Sequence, residues 1–98
     1  MPLIAPEALA KRVQALPGWA LAGNALQRQF TFPAFPDVIS FMVRLGFVAE
    51  NTDHHPDLLV NYRRVTVTYS THSEGGVTEK DLEGARSATE IASRFGGE

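Results

Sequence analysis

The chain has 98 residues, of which 44% are hydrophobic and 20% are charged, and its formal net charge is −2; these values predict one globular domain over residues 1–98. The small charge, with no concentrated basic block, argues against direct binding to nucleic acid, and the lack of cysteine excludes disulfides, thiolate nucleophiles and cysteine-based zinc sites. No apolar run is long enough to span a membrane and the N-terminus lacks a signal-peptide pattern, so we expect a cytoplasmic protein.

The first element is a predicted helix over residues 6–16. Its inner face holds three apolar residues at helical spacing, which are Leu9, Val13 and Leu16. Pro6 suits the first helical turn, where its missing N–H costs nothing, and Pro17 with Gly18 ends the helix.

A strand hairpin follows, with predicted strands over residues 19–22 and 25–32 and a tight turn at Gly23 and Asn24. Apolar and polar residues alternate along the second strand, which is the period of a half-buried antiparallel strand. Its core-facing side is predicted to carry Leu26, Phe30 and Phe32, with Arg28.

The longest predicted helix covers residues 36–51. One apolar face is predicted to comprise Val38, Ile39, Met42, Leu45 and Ala49, and the apolar residues left pointing elsewhere are Phe41, Val43, Phe47 and Val48. A helix that is apolar nearly all round has to be covered on more than one side. We therefore predict a subunit interface along residues 37–51; the alternative is a helix enclosed within one subunit.

A second hairpin is predicted, with strands over residues 58–62 and 64–70 and a turn around Arg63 and Arg64. The inward face of its second strand carries Val65, Val67 and Tyr69. The same strand parity, continued past Ser70, places His72 on the opposite, polar side.

The last helix is predicted to begin at Thr78, because Thr78 and Asp81 form a capping-box pattern. Its inner side is predicted to comprise Leu82, Ala85, Ala88, Ile91, Ala92 and Phe95. The element order is therefore α-β-β-α-β-β-α, which predicts an α+β domain with antiparallel strand pairs and helices packed on one face.

All three histidines lie around the second hairpin, with His54 and His55 before it and His72 after it. Three accounts of them remain open. A metal site would use imidazole and carboxylate ligands, although adjacent histidines in an extended chain point to opposite sides. General acid–base catalysis would use imidazole near neutral pH, and no serine or cysteine nucleophile pattern accompanies it. In a structural account, the pair caps a helix end and bonds across a loop.

A longer pattern surrounds the histidines and spans nearly the whole chain. It consists of Gly18, Trp19, Leu26, Arg28, Phe30, Phe32, Asp53, His54, His55, Pro56, Asp57, Tyr62, Ser70, Thr71, His72, Gly76, Val77, Thr78 and Asp81. This pattern closely resembles the pterin-4a-carbinolamine dehydratase family, whose members are also known as dimerisation cofactors of a homeodomain transcription factor.

The resemblance implies a four-stranded antiparallel sheet and subunits that pair into homodimers or homotetramers. It also implies a reaction, the dehydration of 4a-hydroxytetrahydropterin to quinonoid dihydropterin, which recycles tetrahydrobiopterin after aromatic amino acid hydroxylation. An aromatic amino acid hydroxylase is therefore a candidate pathway partner. No metal or organic cofactor is implied, because the pterin is the substrate.

By the same resemblance, His54 and His72 are the acid–base pair and His55 holds the substrate hydroxyl. Glu50 and Asp53 are expected to orient the imidazoles. The remaining binding or orienting residues are Asp81, expected to support His72, together with Pro56, Ser70 and Thr71. Backbone groups of Ser70, Thr71 and His72 are expected to meet the flat pterin edge.

Two positions depart from the family pattern. Leu58 stands where an aromatic residue is common, which removes ring stacking from that position, and Asn51 replaces a common lysine. Neither change removes a proposed proton carrier. The alternative to a dehydratase is a protein-binding module that acts through the apolar helix over residues 37–51.

Overall fold

A computed structural model describes residues 2–98, and within them it contains three α-helices and four strands in the predicted order. The elements are α1 (Pro6–Gln14), β1 (Ala20–Ala22), β2 (Ala25–Thr31), α2 (Phe35–Thr52), β3 (Asp57–Asn61), β4 (Arg64–Tyr69) and α3 (Glu79–Arg94). The four strands form one sheet in the order β1-β2-β4-β3, and every neighbouring pair is antiparallel. The predicted α+β class is confirmed.

The two central strands, β2 and β4, supply the sheet side of the core. Their register pairs Leu26 with Tyr69 and Phe30 with Val65. These four side chains and Val67 are buried, so the predicted inward faces of both strands are confirmed. The opposite face of the sheet carries polar residues, including Gln27, whose side chain donates a hydrogen bond to the Thr68 hydroxyl at 3.0 Å.

α2 and α3 cover the apolar face of the sheet. The predicted inner side of α3 is confirmed: Leu82, Ala85, Ala88, Ile91 and Ala92 are buried, and Phe95 is half-buried. From α2, Phe41 packs on the aromatic residues of the β2 segment, with its ring centroid 5.0 Å from that of Phe32. A cleft lies where α2 ends and α3 begins, just after the last residue of β4.

A bidentate ion pair between Arg12 and Glu79 joins α1 to the start of α3. Arg12 Nη1 and Nη2 lie 2.6 and 2.9 Å from the two carboxylate oxygens of Glu79. Hydrogen bonding to Glu79 raises the pKa of Arg12, and hydrogen bonding from Arg12 lowers the pKa of Glu79. The pair therefore links the N-terminal helix to the turn that carries Asp81.

The structure corrects the predicted apolar face of α2. The buried residues are Val38, Phe41, Leu45 and Ala49. Ile39, which was assigned to the buried face, is 41% exposed, whereas Phe41, which was assigned elsewhere, is fully buried. The prediction was wrong because apolar residues surround the helix, so that hydrophobic periodicity alone does not select which stripe faces the sheet.

A second apolar stripe on α2 is left exposed. It consists of every fourth residue along the helix: Phe35, Ile39, Val43 and Phe47. Phe47 has the largest exposed fraction among them, at 64%. The helix is thus apolar on a side that this subunit does not cover.

Among residues 2–98, none of the helices has both the length and the apolarity that crossing a membrane requires.

The turn between β3 and β4 lies one residue earlier than predicted. Asn61 pairs with Arg64, which leaves Tyr62 and Arg63 as the turn residues. Tyr62 has a φ of 54°, an uncommon left-handed conformation for an aromatic residue. The prediction missed this register because no glycine or asparagine marks the turn position.

Candidate active site

The site begins where α2 ends. Asp53 closes the helix in the left-handed conformation, with a φ of 52°, which aspartate adopts more readily than most residues. The His54 N–H then bonds back to the Ala49 carbonyl at 3.1 Å, and the Asp53 N–H bonds to the Glu50 carbonyl at 3.3 Å. These two bonds form a Schellman motif. The reversal of the chain directs His54 towards β4 and α3.

Asp81 holds the His54 imidazole from the first turn of α3. Its side chain is fully buried, and Oδ1 lies 2.5 Å from His54 Nε2. Oδ2 accepts the backbone N–H of Thr78 and the hydroxyl of Thr71, each at 2.8 Å. A buried carboxylate needs such donors because water does not solvate it. An ionised carboxylate only accepts hydrogen bonds, so His54 Nε2 carries the hydrogen.

The second nitrogen of His54 is open to solvent. Every buried side-chain nitrogen or oxygen in residues 2–98 has a hydrogen-bond partner. Nδ1 of His54 makes no hydrogen bond within the described chain, so it is not one of the buried atoms. It belongs to the 13% of the His54 side chain that is exposed. Nδ1 is therefore the ring atom that an external molecule reaches.

Tyr69 supports the face of the His54 ring. The two rings are stacked, with centroids 5.8 Å apart and planes inclined by 19°. Burial raises the pKa of Tyr69 well above its ordinary value, and the negative charge of Asp81 raises it further. The phenol therefore stays neutral across the physiological pH range, and the ring acts as a flat apolar support.

His55 points to a different partner. Its Nε2 lies 2.7 Å from Oε1 of Glu50, and both side chains are exposed. The expected contact between Glu50 and an imidazole is present. The adjacent histidines thus diverge, one towards the buried Asp81 and the other towards the surface of α2.

A cleft of about 280 Å³ brings the three histidines together. It is lined by Asp53, His54, His55, Ser70, Thr71, His72, Ser73 and Lys80. His72 begins a short 3-10 turn, His72–Glu74, and is exposed, in agreement with its predicted placement on the polar side of the strand. A cleft of this kind exposes several imidazoles to one small molecule.

The structure changes the expected role of Asp81. Its carboxylate contacts His54 and not His72, because the first turn of α3 faces the end of α2. Asp53 was expected to orient an imidazole, but its carboxylate makes no hydrogen bond to one within residues 2–98, and its evident contribution is the left-handed helix end. Pro56 is half-buried and does not line the cleft.

The backbone of Thr71 is used within its own loop. Its N–H donates to the Gly76 carbonyl at 2.8 Å, and its carbonyl accepts from the N–H groups of Glu74 and Gly75, each at 3.0 Å. The expectation that this backbone meets the pterin edge is therefore not supported, because both groups are already paired. Ser70 and His72, on either side of Thr71, line the cleft and remain the candidates.

Sequence reasoning missed three residues of the site, which are Tyr69, Ser73 and Lys80. Tyr69 was assigned to the core, which is correct, but its contact with His54 depends on the packing of α2 against β4. Ser73 and Lys80 directly follow and precede residues that were assigned to the site, so chain proximity was the available signal. Lys80 and His54 also line an adjoining cavity of about 230 Å³ between α2 and α3.

The described residues offer no ligand set for the metal account. Within residues 2–98, no three histidine, aspartate or glutamate side chains are grouped as ligands for one ion. Nε2 of His54 and Nε2 of His55 are directed at separate carboxylates. The chemistry that this arrangement supports is proton transfer, since imidazole is the side chain suited to it near neutral pH.

The fold and the site together define a class, a small α+β protein whose three histidines line one cleft. A family model described as pterin 4 alpha carbinolamine dehydratase matches residues 2–91. A protein of Afipia carboxidovorans with the name "Putative pterin-4-alpha-carbinolamine dehydratase" is 45% identical over 96 residues, which are 96% of each chain. A protein of the same name from Mycobacterium sp. (strain KMS) is 51% identical over 79 residues, 81% of this chain and 84% of the relative.

Solved structures agree with this match. The crystal structure of a transcriptional coactivator/pterin dehydratase from Brucella melitensis has a TM-score of 0.87 and 38% identity, and the alignment covers 91% of this chain and 97% of that one. A pterin dehydratase-like protein identified as a RuBisCO assembly factor in the alpha-carboxysome has a TM-score of 0.64 and 19% identity, over 76% and 86% of the two chains, and shares the fold alone. The chain belongs to the pterin-4a-carbinolamine dehydratase family, which is a family of hydro-lyases.

Proposed function

We propose that the protein dehydrates 4a-hydroxytetrahydropterin to quinonoid dihydropterin by histidine general acid–base catalysis. The observation that carries this proposal is the convergence of all three histidines on one cleft, with one imidazole held by a buried carboxylate. Family membership supplies the substrate class, and the side chains supply the proton carriers.

The reaction needs one proton donor and one proton acceptor. The bond between C4a and the hydroxyl oxygen breaks, and the departing hydroxide takes a proton to become water. The adjacent ring nitrogen loses its proton, and its electron pair forms the new double bond to C4a. Correctly placed general acids and bases each contribute typically about 10²–10⁴-fold to such a step.

His54 is suited to the acceptor role. Its Nε2–H is directed at Asp81, so the neutral ring offers Nδ1 as an acceptor. When Nδ1 takes the proton, the buried carboxylate stabilises the imidazolium that forms, as the aspartate does in a serine protease triad. His72, which also lines the cleft, supplies the proton to the leaving hydroxide. His55, directed by Glu50, holds the substrate hydroxyl.

The exposed stripe on α2 supports a second proposal, which concerns assembly. Phe35, Ile39, Val43 and Phe47 leave an apolar ridge along the helix, and water-exposed ridges of this kind mark interaction surfaces. We propose that subunits associate through it as homodimers or homotetramers. A protein-binding role of the same surface is compatible with catalysis, because the ridge and the cleft are formed by different residues.

Kinetics with freshly generated carbinolamine test the proposed reaction. We expect the wild-type protein to accelerate dehydration and His54→Ala and His72→Ala each to lower kcat by roughly 10²-fold or more. Glu90→Ala, on the exposed side of α3, is the control and should leave the rate unchanged. The proposal fails if the wild-type protein gives no acceleration, or if both histidine variants keep full activity.

A further inference from the structure

Two threonine hydroxyls lie behind the carboxylate that holds His54. Thr71 Oγ1 is 2.8 Å from Asp81 Oδ2, and Thr78 Oγ1 is 2.8 Å from Thr71 Oγ1. Thr78 is fully buried and Thr71 is 9% exposed. Burial on this scale excludes bulk water, so the two hydroxyls depend on each other and on Asp81 for their hydrogen bonds.

The direction of these hydrogen bonds follows from the chemistry of the groups. Thr71 Oγ1 donates to Asp81 Oδ2, because a carboxylate oxygen is an acceptor. That donation uses the only hydroxyl hydrogen of Thr71. The contact between the two threonines therefore has Thr78 as donor and Thr71 as acceptor. The result is a one-way chain from Thr78 to Thr71 to Asp81.

This series of hydrogen bonds holds one carboxylate oxygen of Asp81 and leaves the other oxygen for His54. Oδ2 of Asp81 accepts from the Thr71 hydroxyl and from the Thr78 N–H, each at 2.8 Å. These donors come from opposite ends of the segment that joins β4 to α3, so together they resist rotation of the carboxylate. Oδ1 is consequently presented to His54 Nε2. In a low-dielectric interior, successive hydrogen bonds of this kind strengthen one another.

We propose that Thr71 and Thr78 are positioning residues that act through Asp81 and fix His54 in the Nε2–H tautomer. Thr78 does not line the cleft. Its hydroxyl reaches His54 only through two other side chains. It orients the Thr71 hydroxyl, Thr71 orients Asp81, and Asp81 orients His54. The inference rests on the proposed dehydratase reaction for its kinetic consequence, whereas the tautomer of His54 is a property of the free protein.

Several charged or titratable groups surround His54, but apart from Asp81 none of them orients its ring through a hydrogen bond within residues 2–98. They are Asp81, Lys80 and Glu83 on α3, Tyr69 on β4, and Asp53, His55 and His72 around the cleft. Only Asp81 makes a hydrogen bond to the His54 ring within residues 2–98. The tautomer is therefore decided at the bond that the threonines support.

The test compares Thr78→Val, which removes the hydroxyl and nearly preserves the shape, with Thr78→Ser, which keeps the hydroxyl. For Thr78→Val we expect kcat to fall about tenfold with KM unchanged, since small misplacements of a catalytic group cost up to about 10²-fold. Imidazole ¹⁵N chemical shifts at pH 9, above the ordinary titration range of imidazole, should show a mixture of His54 tautomers. Thr78→Ser should restore both kcat and the single tautomer.

A merely structural role of Thr78 at the start of α3 predicts a different result. It would lower the melting temperature of Thr78→Val but leave kcat and the His54 tautomer of the folded fraction at their wild-type values, and that outcome would overturn the proposal. If Thr78→Val does not fold, Thr71→Ala and Thr71→Ser provide the same comparison one step closer to Asp81.

The His54 tautomer of the wild-type protein is a further test of the positioning proposal. Neutral His54 with its hydrogen on Nδ1 would contradict the chain whatever the variants do. The two proposals fail separately. A wild-type protein that does not dehydrate the carbinolamine refutes the reaction, while its ¹⁵N spectrum still accepts or rejects the positioning chain.

Discussion

Gly84 is the residue that allows Tyr69 to support His54. A Cβ atom placed at Gly84 would lie 2.5 Å from Cε1 and 2.6 Å from Cζ of Tyr69, distances that real Cβ contacts do not show. The α3 backbone therefore approaches the Tyr69 ring as closely as a glycine permits. Because that ring stacks on His54, a helix position with no side chain contributes to the geometry of the site.

Gly84→Ala should accordingly destabilise the protein and slow it. Overpacking costs about 1–3 kcal/mol, and the better helix propensity of alanine returns about 1 kcal/mol. We expect a net loss of up to about 2 kcal/mol in the free energy of unfolding and a lower kcat, because the displaced Tyr69 ring moves His54. Chemical denaturation and the dehydration assay measure the two effects.

Gly46 provides the matched control on α2. A Cβ atom there meets nothing within 4 Å, and the residue is exposed. Gly46→Ala should therefore stabilise the protein by about 0.5–1 kcal/mol through helix propensity alone. Equal stabilisation by both substitutions would show that Tyr69 is not held against Gly84.

The individual site residues were predictable to different degrees. His54, His55 and His72 could be assigned to one site from the sequence, because they flank a single hairpin. The partner of Asp81 could not, since both candidate histidines precede it in the sequence and only the packing of α3 against α2 selects His54. Thr78 was recognised as a helix start, but the direction of its hydroxyl towards Thr71 depends on the loop between β4 and α3.

At the scale of single elements, α2 has two apolar sides with different tasks. One side, which includes Phe41 and Leu45, is buried against the sheet and α3. The other side carries the exposed stripe that ends at Phe47, one turn before the end of the helix that leads to His54. The same helix therefore contributes to the core, to the proposed interface and to the placement of the site.

Phe47→Glu should separate assembly from folding. Phe47 is 64% exposed within one subunit, so the charge costs little there, whereas burying it in an apolar interface between subunits is expensive. We expect light scattering after size exclusion to give an oligomeric mass for the wild type and the monomer mass of 10.7 kDa for the variant.

Gln14→Glu is the control for the added charge, because Gln14 is exposed at the end of α1, away from the stripe. It should keep the wild-type mass. A Phe47→Glu protein that also keeps this mass would show that subunits do not associate through the exposed stripe of α2.

The order and type of the elements were predictable because each one has a distinct period or boundary signal. Strand alternation identified the faces of β2 and β4, and the capping pattern at Thr78 identified the start of α3. The face of α2 was not predictable, because its sequence is apolar on nearly all sides. The turn at Tyr62 was not predictable either, because an aromatic residue there adopts a conformation that is usually left to glycine or asparagine.

For the whole molecule, the cleft forms where three parts of the chain meet: the end of α2, the loop after β4 and the first turn of α3. Each part brings chemistry of a different kind. The first supplies His54 and His55, the second His72, and the third the buried carboxylate of Asp81. The sequence resemblance predicted the family, and the comparisons confirm it. The pairing of Asp81 with His54, where the resemblance implied His72, required the contacts that only the folded chain shows.

The central claim is that His54 and His72 act as acceptor and donor on one substrate. Residues that act as a unit are strongly non-additive when they are removed. The most direct measurement is therefore the carbinolamine dehydration rate of the wild type, His54→Ala, His72→Ala and the double variant in one series. We predict that the double variant is about as slow as the slower single variant. A double variant slowed by the product of the two single effects would contradict the account, as would a wild-type protein that does not exceed the uncatalysed rate.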